Sequence, residues 1–436
     1  MATAMNVQVI CSETVKPSSP TPHLRKYSLS LCDQLIPASY VPVILYYHNE
    51  DKGTITTSEE KIRLLKSSLS ILLARFYPFA GRIEDNLSIT CSDEGVDFLE
   101  AKVDRELSEV LACPDPRELR KLLPIEMESA NVDRVHPLVV QANSFQCGAL
   151  ALAICISHKV ADATTLASFI ASWVNLAVDP ESFPDHPLLN ASTIFPPLSH
   201  LHGLPHVDFP NYELVTQRYV LDSEKVSTLV ELANSEQATR PTRVEAVSAL
   251  LWGCVTRASG RQRSVLVHAM DLRRRLSPPI TDTTVGNVAT VFATEMREEI
   301  KGEVSGFLRK LTAEFREKKY EFLENMVKKR MAGETASAAL SETFEAVGGI
   351  MNGKEVDLYI FSSWMRLSPY EADFGWGKPI WVSLVKWHFT NTIILMDGRE
   401  RNGMEVWVTL KKDHMAELDR DEELPRFTSL NPGISW

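Results

Sequence analysis

The stretch "CGALALAICISHKVADATTLASFIASWV", residues 147–174, carries the reading that decides the fold. An apolar run over 148–156 stops at the polar hexapeptide SHKVAD, and Leu166, Phe169, Ile170, Trp173 and Val174 then recur on one helical face. The first part reads as a buried strand and the second as an amphipathic helix. Between them stand His158 and Asp162. A strand that delivers an imidazole to its exposed end, followed at once by a helix, places a candidate catalytic group at the mouth of a sheet, on a loop held by rigid elements.

Working outward, "HPLVVQANSFQCGALALAICIS" predicts two strands around a turn at Gly148. Further upstream, "YVPVILYYH" predicts a strand, with Pro42 near its beginning. Thr57 with Glu60 predicts a capping box for a helix that shows Ile62, Leu65, Leu69 and Leu72 at helical spacing, and Pro78 and Gly81 of "FYPFAGR" are expected to end it. Short strands are expected around 87–90 and 96–101.

Downstream, residues 179–213 carry seven prolines (180, 184, 187, 196, 197, 205 and 210), so they cannot form a long helix and are expected to connect two domains along the surface. This divides the chain into residues 1–179, a crossover over 180–213, and residues 214–436. His200, His202 and His206 lie in the crossover, where no rigid element would preorganise metal ligands, and no metal is expected.

The second half repeats the mixed pattern. It runs through strand "ELVTQRYVLD", helix "SEKVSTLVELAN", a second capping box at Thr242 and Glu245 opening the helix "RVEAVSALLWGCVTRA", strands "SVLVHAMDLR" and "NVATVFATEM", a charged helix near 301–331, strand "VDLYIFSSW" and the hairpin-like "NTIILMDGRERNGMEVWVTL". Strict βαβ alternation is absent, so two mixed α/β halves are expected.

A chain of 436 residues is too long for one core and suits two domains. Its net charge of −11 argues against a general nucleic-acid binder, which needs surplus Lys and Arg to neutralise phosphates. The start lacks the basic and apolar regions of a secretory signal, and no stretch reaches the length of a membrane span. Cys11, Cys32, Cys91, Cys113, Cys147, Cys155 and Cys254 are scattered, odd in number and without metal-type spacing, which fits free thiols in a reducing compartment. A cytoplasmic protein is the expectation.

The HxxxD pattern alone is weak, since a chain of this size shows one by accident about every second time. An imidazole can accept a proton at neutral pH and return it. Asp162 can cap the following helix or pair with an arginine; neither role makes it a proton carrier. No GxSxG elbow, Gly-rich phosphate loop or HExxH accompanies His158, which leaves a histidine acting alone on a substrate hydroxyl.

A second motif, "DFGWG" at 373–377, packs two glycines and two aromatic residues into five positions between "VDLYIFSSW" and "KPIWVSLV". Gly375 and Gly377 permit positive φ or close approach, and the rings pack the flanks. Together, "HKVAD" and "DFGWG" resemble the plant BAHD acyltransferases, which move an acyl group from a CoA thioester to an alcohol or amine. "LSLCDQL", "FYPFAGRI", "TRVEAVSALLW", "DLRRRLSPP", "VGN" and "SSW" follow the family's order, so the resemblance covers the whole chain. It is greatest to the branch that acetylates alkaloids, terpenoid alcohols and related specialised metabolites. One departure is Ala163, where many members carry glycine.

The resemblance implies two chloramphenicol-acetyltransferase-like mixed-sheet domains joined by the long crossover, with a channel between them and a C-terminal strand pair crossing back to the first domain. It implies His158 as general base in a ternary complex with acyl-CoA, acetyl-CoA above all, as co-substrate and no bound cofactor. Ser362 is the implied oxyanion donor, with Ser363 and Trp364 lining the channel. Asp373 occupies a place sometimes described as catalytic; an ion pair with an arginine is the expected structural role. Arg273 in "DLRRR" matches the arginine that pairs with one of the two motif aspartates. A monomer acting on a small-molecule alcohol, without membrane or nucleic-acid partners, is expected. Peptide-condensation domains share the fold and an HHxxxDG signature, but here Ser157 replaces the first histidine and Ala163 the glycine. A non-catalytic binding scaffold is the other alternative, and the intact His158 weighs against it.

Overall fold

A computed structural model describes residues 4–21, 26–49, 55, 57–125, 136–182, 186–201, 212–234, 240–261, 263–276, 278–296, 304–331, 340, 356–385, 389–399 and 402–435. Two large mixed sheets dominate it. The first has six strands in the order β1 (Val7–Val15), β6 (Val96–Val103), β7 (Leu138–Phe145), β8 (Leu150–Ser157), β3 (Tyr40–Tyr47) and β13 (Trp381–Ser383). The second has seven, in the order β11 (Ala289–Met296), β10 (Ser264–Asp271), β12 (Asp357–Trp364), β14 (Thr392–Asp397), β15 (Met404–Lys411), β9 (Leu214–Leu221) and β16 (Ser429–Leu430). A small third sheet joins β2 (Lys26–Ser28), β5 (Ser88–Thr90) and β4 (Arg82–Ile83). Pairing is parallel between β6 and β7, β10 and β12, and β12 and β14.

The quoted stretch behaves as its pattern requires. Every residue of β8 is buried, which is why its run is apolar without alternation. Gly148 turns the chain between β7 and β8 at φ +77°, where a side chain would also strike Asn49. The helix Ala163–Val178 buries Leu166, Phe169, Ile170 and Trp173 and packs on the helix Ser58–Leu73, whose Ser68 hydroxyl accepts the Trp173 indole N–H at 2.9 Å. Both expected capping boxes, Thr57 with Glu60 and Thr242 with Glu245, are formed.

Three local readings differ from the sequence expectation. The helix that starts at Ser58 stops at Leu73, and Tyr77–Ala80 form a separate 3-10 turn. Phe76 and Phe79 stack against each other and edge-on to Phe169, and seating these rings takes the chain off the helix axis before Pro78 is reached. Strand β1 was not legible, because most of its residues are exposed on both faces and show no period of two. The five-residue helix Leu31–Leu35, capped by Ser30 and Asp33, was also missed; it is too short for periodicity to register.

The two sheets carry separate cores that exchange elements. Leu31 and Cys32 pack into the second core, whereas Trp364, Ile394, Met396 and Trp407 pack into the first. Where the resemblance implied a C-terminal strand pair crossing back, one strand does so among the described residues: β13 pairs antiparallel with β3, while β14 and β15 stay in the second sheet. In the crossover, residues 183–185 and 202–211 lie outside the described residues, and with them His202 and His206. The described part is tied down by a bridge from Leu188 to Thr284 and a hydrogen bond from Leu31 N–H to the Phe195 carbonyl. All seven cysteines are free. Among the described residues, no helix is long and apolar enough to cross a membrane.

Candidate active site

His158 follows the last residue of β8, and its own N–H donates to the Ser39 carbonyl at 2.7 Å, which fixes the backbone from which the ring projects. The residue is half-buried between two fully buried neighbours, Ser157 and Lys159. Its Nδ1 lies 3.0 Å from the Asn287 side-chain oxygen. The Asn287 Nδ2 is already committed to two acceptors, the His158 carbonyl at 2.6 Å and Asp33 Oδ1 at 2.8 Å. The amide therefore presents oxygen to the ring, Nδ1 carries the proton, and Nε2 keeps the basic lone pair. Burial holds the imidazole below its ordinary value, against smaller opposing contributions from its own backbone, Asp162 and Asn287, so the ring is neutral at pH 7.

Asp162 does both things its position allowed. One oxygen accepts the Thr165 N–H at 2.8 Å and so caps the helix Ala163–Val178. Arg273 grips the carboxylate with both terminal nitrogens, at 2.7 and 3.1 Å, and Val288 N–H adds a bond at 3.0 Å. Burial is the largest single influence on Asp162 and opposes its charge, but the Arg273 guanidinium and the N–H groups of Val288 and Thr165 together outweigh it and keep the carboxyl below its usual range. Arg273 also donates to the carbonyls of Thr284 and Gly286 at 2.9 and 3.2 Å. Thus the motif aspartate is turned away from proton transfer and clamps residues 284–288, the segment that supplies Asn287. Ala163 is the first residue of a helix, where glycine's freedom is not needed.

Asp373 departs from expectation. Among the described residues no arginine pairs with it; its Oδ1 instead accepts the N–H groups of Gly375 and Gly377, each at 2.9 Å. Those glycines sit at φ +102° and +105°, and this tight curl brings both N–H groups round to a single oxygen, so a distant cation is not required. The loop docks on the first half: Phe374 stacks on Trp376 and meets Trp173 edge-on at 5.5 Å, and the Tyr47 hydroxyl donates to the Ala372 carbonyl at 2.8 Å.

Ser362, Ser363 and Trp364 form the end of β12. Ser362 lies opposite Ile394, which lies opposite Trp407 on β15. Ile394, Trp407 and Trp364 belong to the first core, so Ser362 looks out from the second sheet toward the first half. Its hydroxyl has no hydrogen-bond partner among the described residues. The pleat puts Ser363 on the opposite face, with Tyr359 and Phe361, so it is separated from Ser362 and Trp364 rather than lining one wall with them.

Three residues beside the histidine escaped sequence reasoning. Asn287 was visible only as part of "VGN", and Asp33 as part of "LSLCDQL". Lys159 is fully buried next to His158, and its ammonium donates to the carbonyls of Asp33 (2.7 Å), Gln34 (3.2 Å) and Ile36 (2.6 Å) and to the Asn86 side chain. It neutralises the C-terminal carbonyls of the helix Leu31–Leu35. Burial drags its pKa down to about 7. Among the described residues, no group of His, Cys, Asp and Glu is arranged to hold a metal ion.

With this geometry established, known proteins give it context. A family model described as the transferase family matches residues 5–424. The chain is 33% identical to (13S,14R)-1,13-dihydroxy-N-methylcanadine 13-O-acetyltransferase AT1 of Papaver somniferum, over 95% of this chain and 96% of that protein. It is 34% identical to limonoid 1-O-acetyltransferase of Citrus sinensis, over 99% and 100%. The crystal structure of vinorine synthase superposes with a TM-score of 0.84 at 29% identity, covering 99% of this chain and 100% of that one. F. sporotrichioides TRI101, solved with coenzyme A and T-2, shares the fold at a TM-score of 0.68 and 18% identity, over 93% and 99%.

Proposed function

Because the chain belongs to the BAHD-type transferase family and is an acyltransferase, we propose that it moves an acetyl group from acetyl-CoA to a hydroxyl of a plant specialised metabolite, an alkaloid or terpenoid alcohol. The observation that carries the chemistry is the state of His158: a neutral ring with Nδ1 tied to Asn287 and Nε2 left basic. The acyl and acceptor classes draw support from the relatives, whose names specify O-acetylation of a canadine derivative and of a limonoid. Use of CoA is supported by the coenzyme A complex of a protein with the same fold.

In this reading, residues 1–179 and 214–436 are two domains joined by the crossover, with β13 crossing back from the second to the sheet of the first, and they meet along a channel that admits the thioester and the alcohol from opposite sides. Nε2 of His158 takes the hydroxyl proton as the alcohol oxygen attacks the thioester carbonyl. The tetrahedral intermediate then expels the CoA thiolate, and the imidazolium returns the proton to sulfur. Both substrates are present together, so no acyl-enzyme forms. The Ser362 hydroxyl, unpaired and facing the first half, donates to the oxyanion, and Trp364 on the same face walls the channel. Asp162, Arg273, Asp373, Gly375 and Gly377 support the geometry without touching substrate. The protein acts as a cytoplasmic monomer.

The test is thiol release from acetyl-CoA with a panel of alkaloid and terpenoid alcohols. His158→Gln is expected to lower kcat about 10²- to 10⁴-fold with an unchanged melting temperature, and Ser362→Ala about 10²- to 10³-fold. A His158→Gln variant that turns over as fast as the parent ends this reading.

A further inference from the structure

We propose that Asp33, 125 residues before His158 in sequence, is a positioning residue that locks the His158 imidazole in its Nδ1–H tautomer by holding the Asn287 amide in one orientation. The proposal rests on His158 being the base.

The carboxylate of Asp33 is fully buried and each of its oxygens meets only donors or a hydroxyl. Oδ1 accepts the Asn287 backbone N–H at 2.7 Å and the Asn287 Nδ2 at 2.8 Å. Oδ2 accepts the Ser30 N–H at 2.8 Å and the Ser30 hydroxyl at 2.7 Å. A flipped Asn287 amide would set its oxygen against Oδ1 and against the His158 carbonyl, two acceptors, leaving three lone-pair groups facing one another in a buried site. With the flip forbidden, the amide oxygen must face Nδ1, and only the Nδ1–H tautomer satisfies it. The lock does not require Asp33 to be ionised, since a proton on Oδ2 would be shared with the Ser30 hydroxyl and leave Oδ1 an acceptor.

The surroundings are built for this contact. Gly286, at φ +121°, allows the chain to pass so close to Asp33 that a Cβ there would lie 3.4 and 3.5 Å from its oxygens and 3.1 Å from Ala191. Lys159 anchors the main chain of Asp33 through its carbonyl. Asp162 holds Val288, the next residue, from the other side. Two aspartates therefore grip consecutive residues, one fixing the position of the segment and the other the orientation of the amide.

The experiment uses the full chain with ¹⁵N-labelled histidine. The ring-nitrogen shifts of His158, assigned by their loss in His158→Gln, distinguish a protonated nitrogen from a bare one. The parent is expected to show Nδ1 protonated and Nε2 bare at pH 8. Asp33→Ala and Asn287→Ala are expected to give mixed tautomers and to lower kcat about 10- to 100-fold, part of what a positioned base supplies, with KM values within about threefold. Asp33→Asn can still turn an oxygen toward Asn287 while its NH2 then faces the Ser30 N–H, so it is expected to melt lower than the parent yet to keep the parent tautomer and to restore kcat per folded molecule to within about threefold. An Nε2–H or mixed tautomer in the parent overturns the proposal without any variant, so a failure of Asp33→Ala to fold leaves it testable. It is equally overturned if Asp33→Ala keeps the single tautomer and the parent kcat, or if Asp33→Asn is as damaged as Asp33→Ala. A fully active His158→Gln would instead sink the base assignment, while the tautomer measurement still reports on the lock.

Discussion

His158 needs no pKa elevation to serve as a base, and the site provides none: burial holds its value below the ordinary 6.5, and the group tied to Nδ1 is a neutral amide rather than a carboxylate. The active form is the unprotonated ring. Raising the pH through the native pKa therefore switches activity on, and lowering it switches activity off. The acid limb of kcat/KM is expected to have its midpoint below pH 6.5, with a plateau through neutrality; a midpoint above 6.5 in a pH–rate profile would contradict the neutral-ring assignment. The histidine and its aspartate were legible because a strand, a turn and a capped helix leave a local signature. Asn287 and Asp33 were not, because the His158–Asn287 and Asn287–Asp33 contacts span 129 and 254 positions and no short-range pattern encodes which donor meets which acceptor.

At the scale of elements, residues 373–377 are a self-contained curl. One carboxylate oxygen gathers two backbone N–H groups, and both glycines adopt positive φ with nothing near where a side chain would stand. Charge is not what this demands, since an amide oxygen could accept the same two bonds. Asp373→Asn is expected to shift the denaturation midpoint by no more than about 0.5 kcal/mol, and Asp373→Ala to cost about 1–3 kcal/mol with activity per folded molecule retained. Equal damage from both substitutions would restore the arginine pairing that the sequence suggested. The unusual composition of the pentamer marked a tight passage correctly. It could not reveal the partner, because aspartate uses the same carboxylate for a cation or for a nest of backbone donors. The short β13 is different: nothing in "KPIWVSLV" says which sheet it will join.

For the molecule as a whole, the joint between the halves is deeply buried. Trp381 on β13 stacks on Tyr46 of the first sheet at 5.1 Å and on Trp407 of the second at 6.2 Å. Arg218 lies over the same indole at 5.0 Å and pairs with Glu405 at 3.1 Å, both side chains buried. Burial raises the Glu405 carboxyl, while Arg218 pulls it back toward ionisation. The C-terminal tail adds a second tie, through Ile434 N–H to the Leu111 carbonyl at 2.8 Å and Asn431 Nδ2 to the Pro114 carbonyl at 2.8 Å. With cores that share elements this way, the halves are expected to melt in one calorimetric transition whose van't Hoff and calorimetric enthalpies agree; two resolved transitions would show that the joint is weak. Arg218→Leu is expected to lower that transition rather than split it, since it leaves Glu405 buried without its cation. Two mixed halves and a proline-rich crossover could be inferred from periodicity. The return of C-terminal chain to the first domain came from the family resemblance alone; periodicity could not give it, as burial on either side of an interface selects the same apolar residues.

Strand β13 has a further consequence for recombining this chain with its relatives. A chimera cut in the crossover inherits its front portion from one parent but receives the sixth strand of that portion's sheet from the other. Compatibility then hinges on a few matched surfaces far from the cut, with Tyr46 and Tyr47 on one parent and Phe374, Trp376 and Trp381 on the other. Swaps that move residues 369–385 together with the front portion keep the native lock and key; those that respect only the linear order of the chain graft a foreign strand onto the edge of β3.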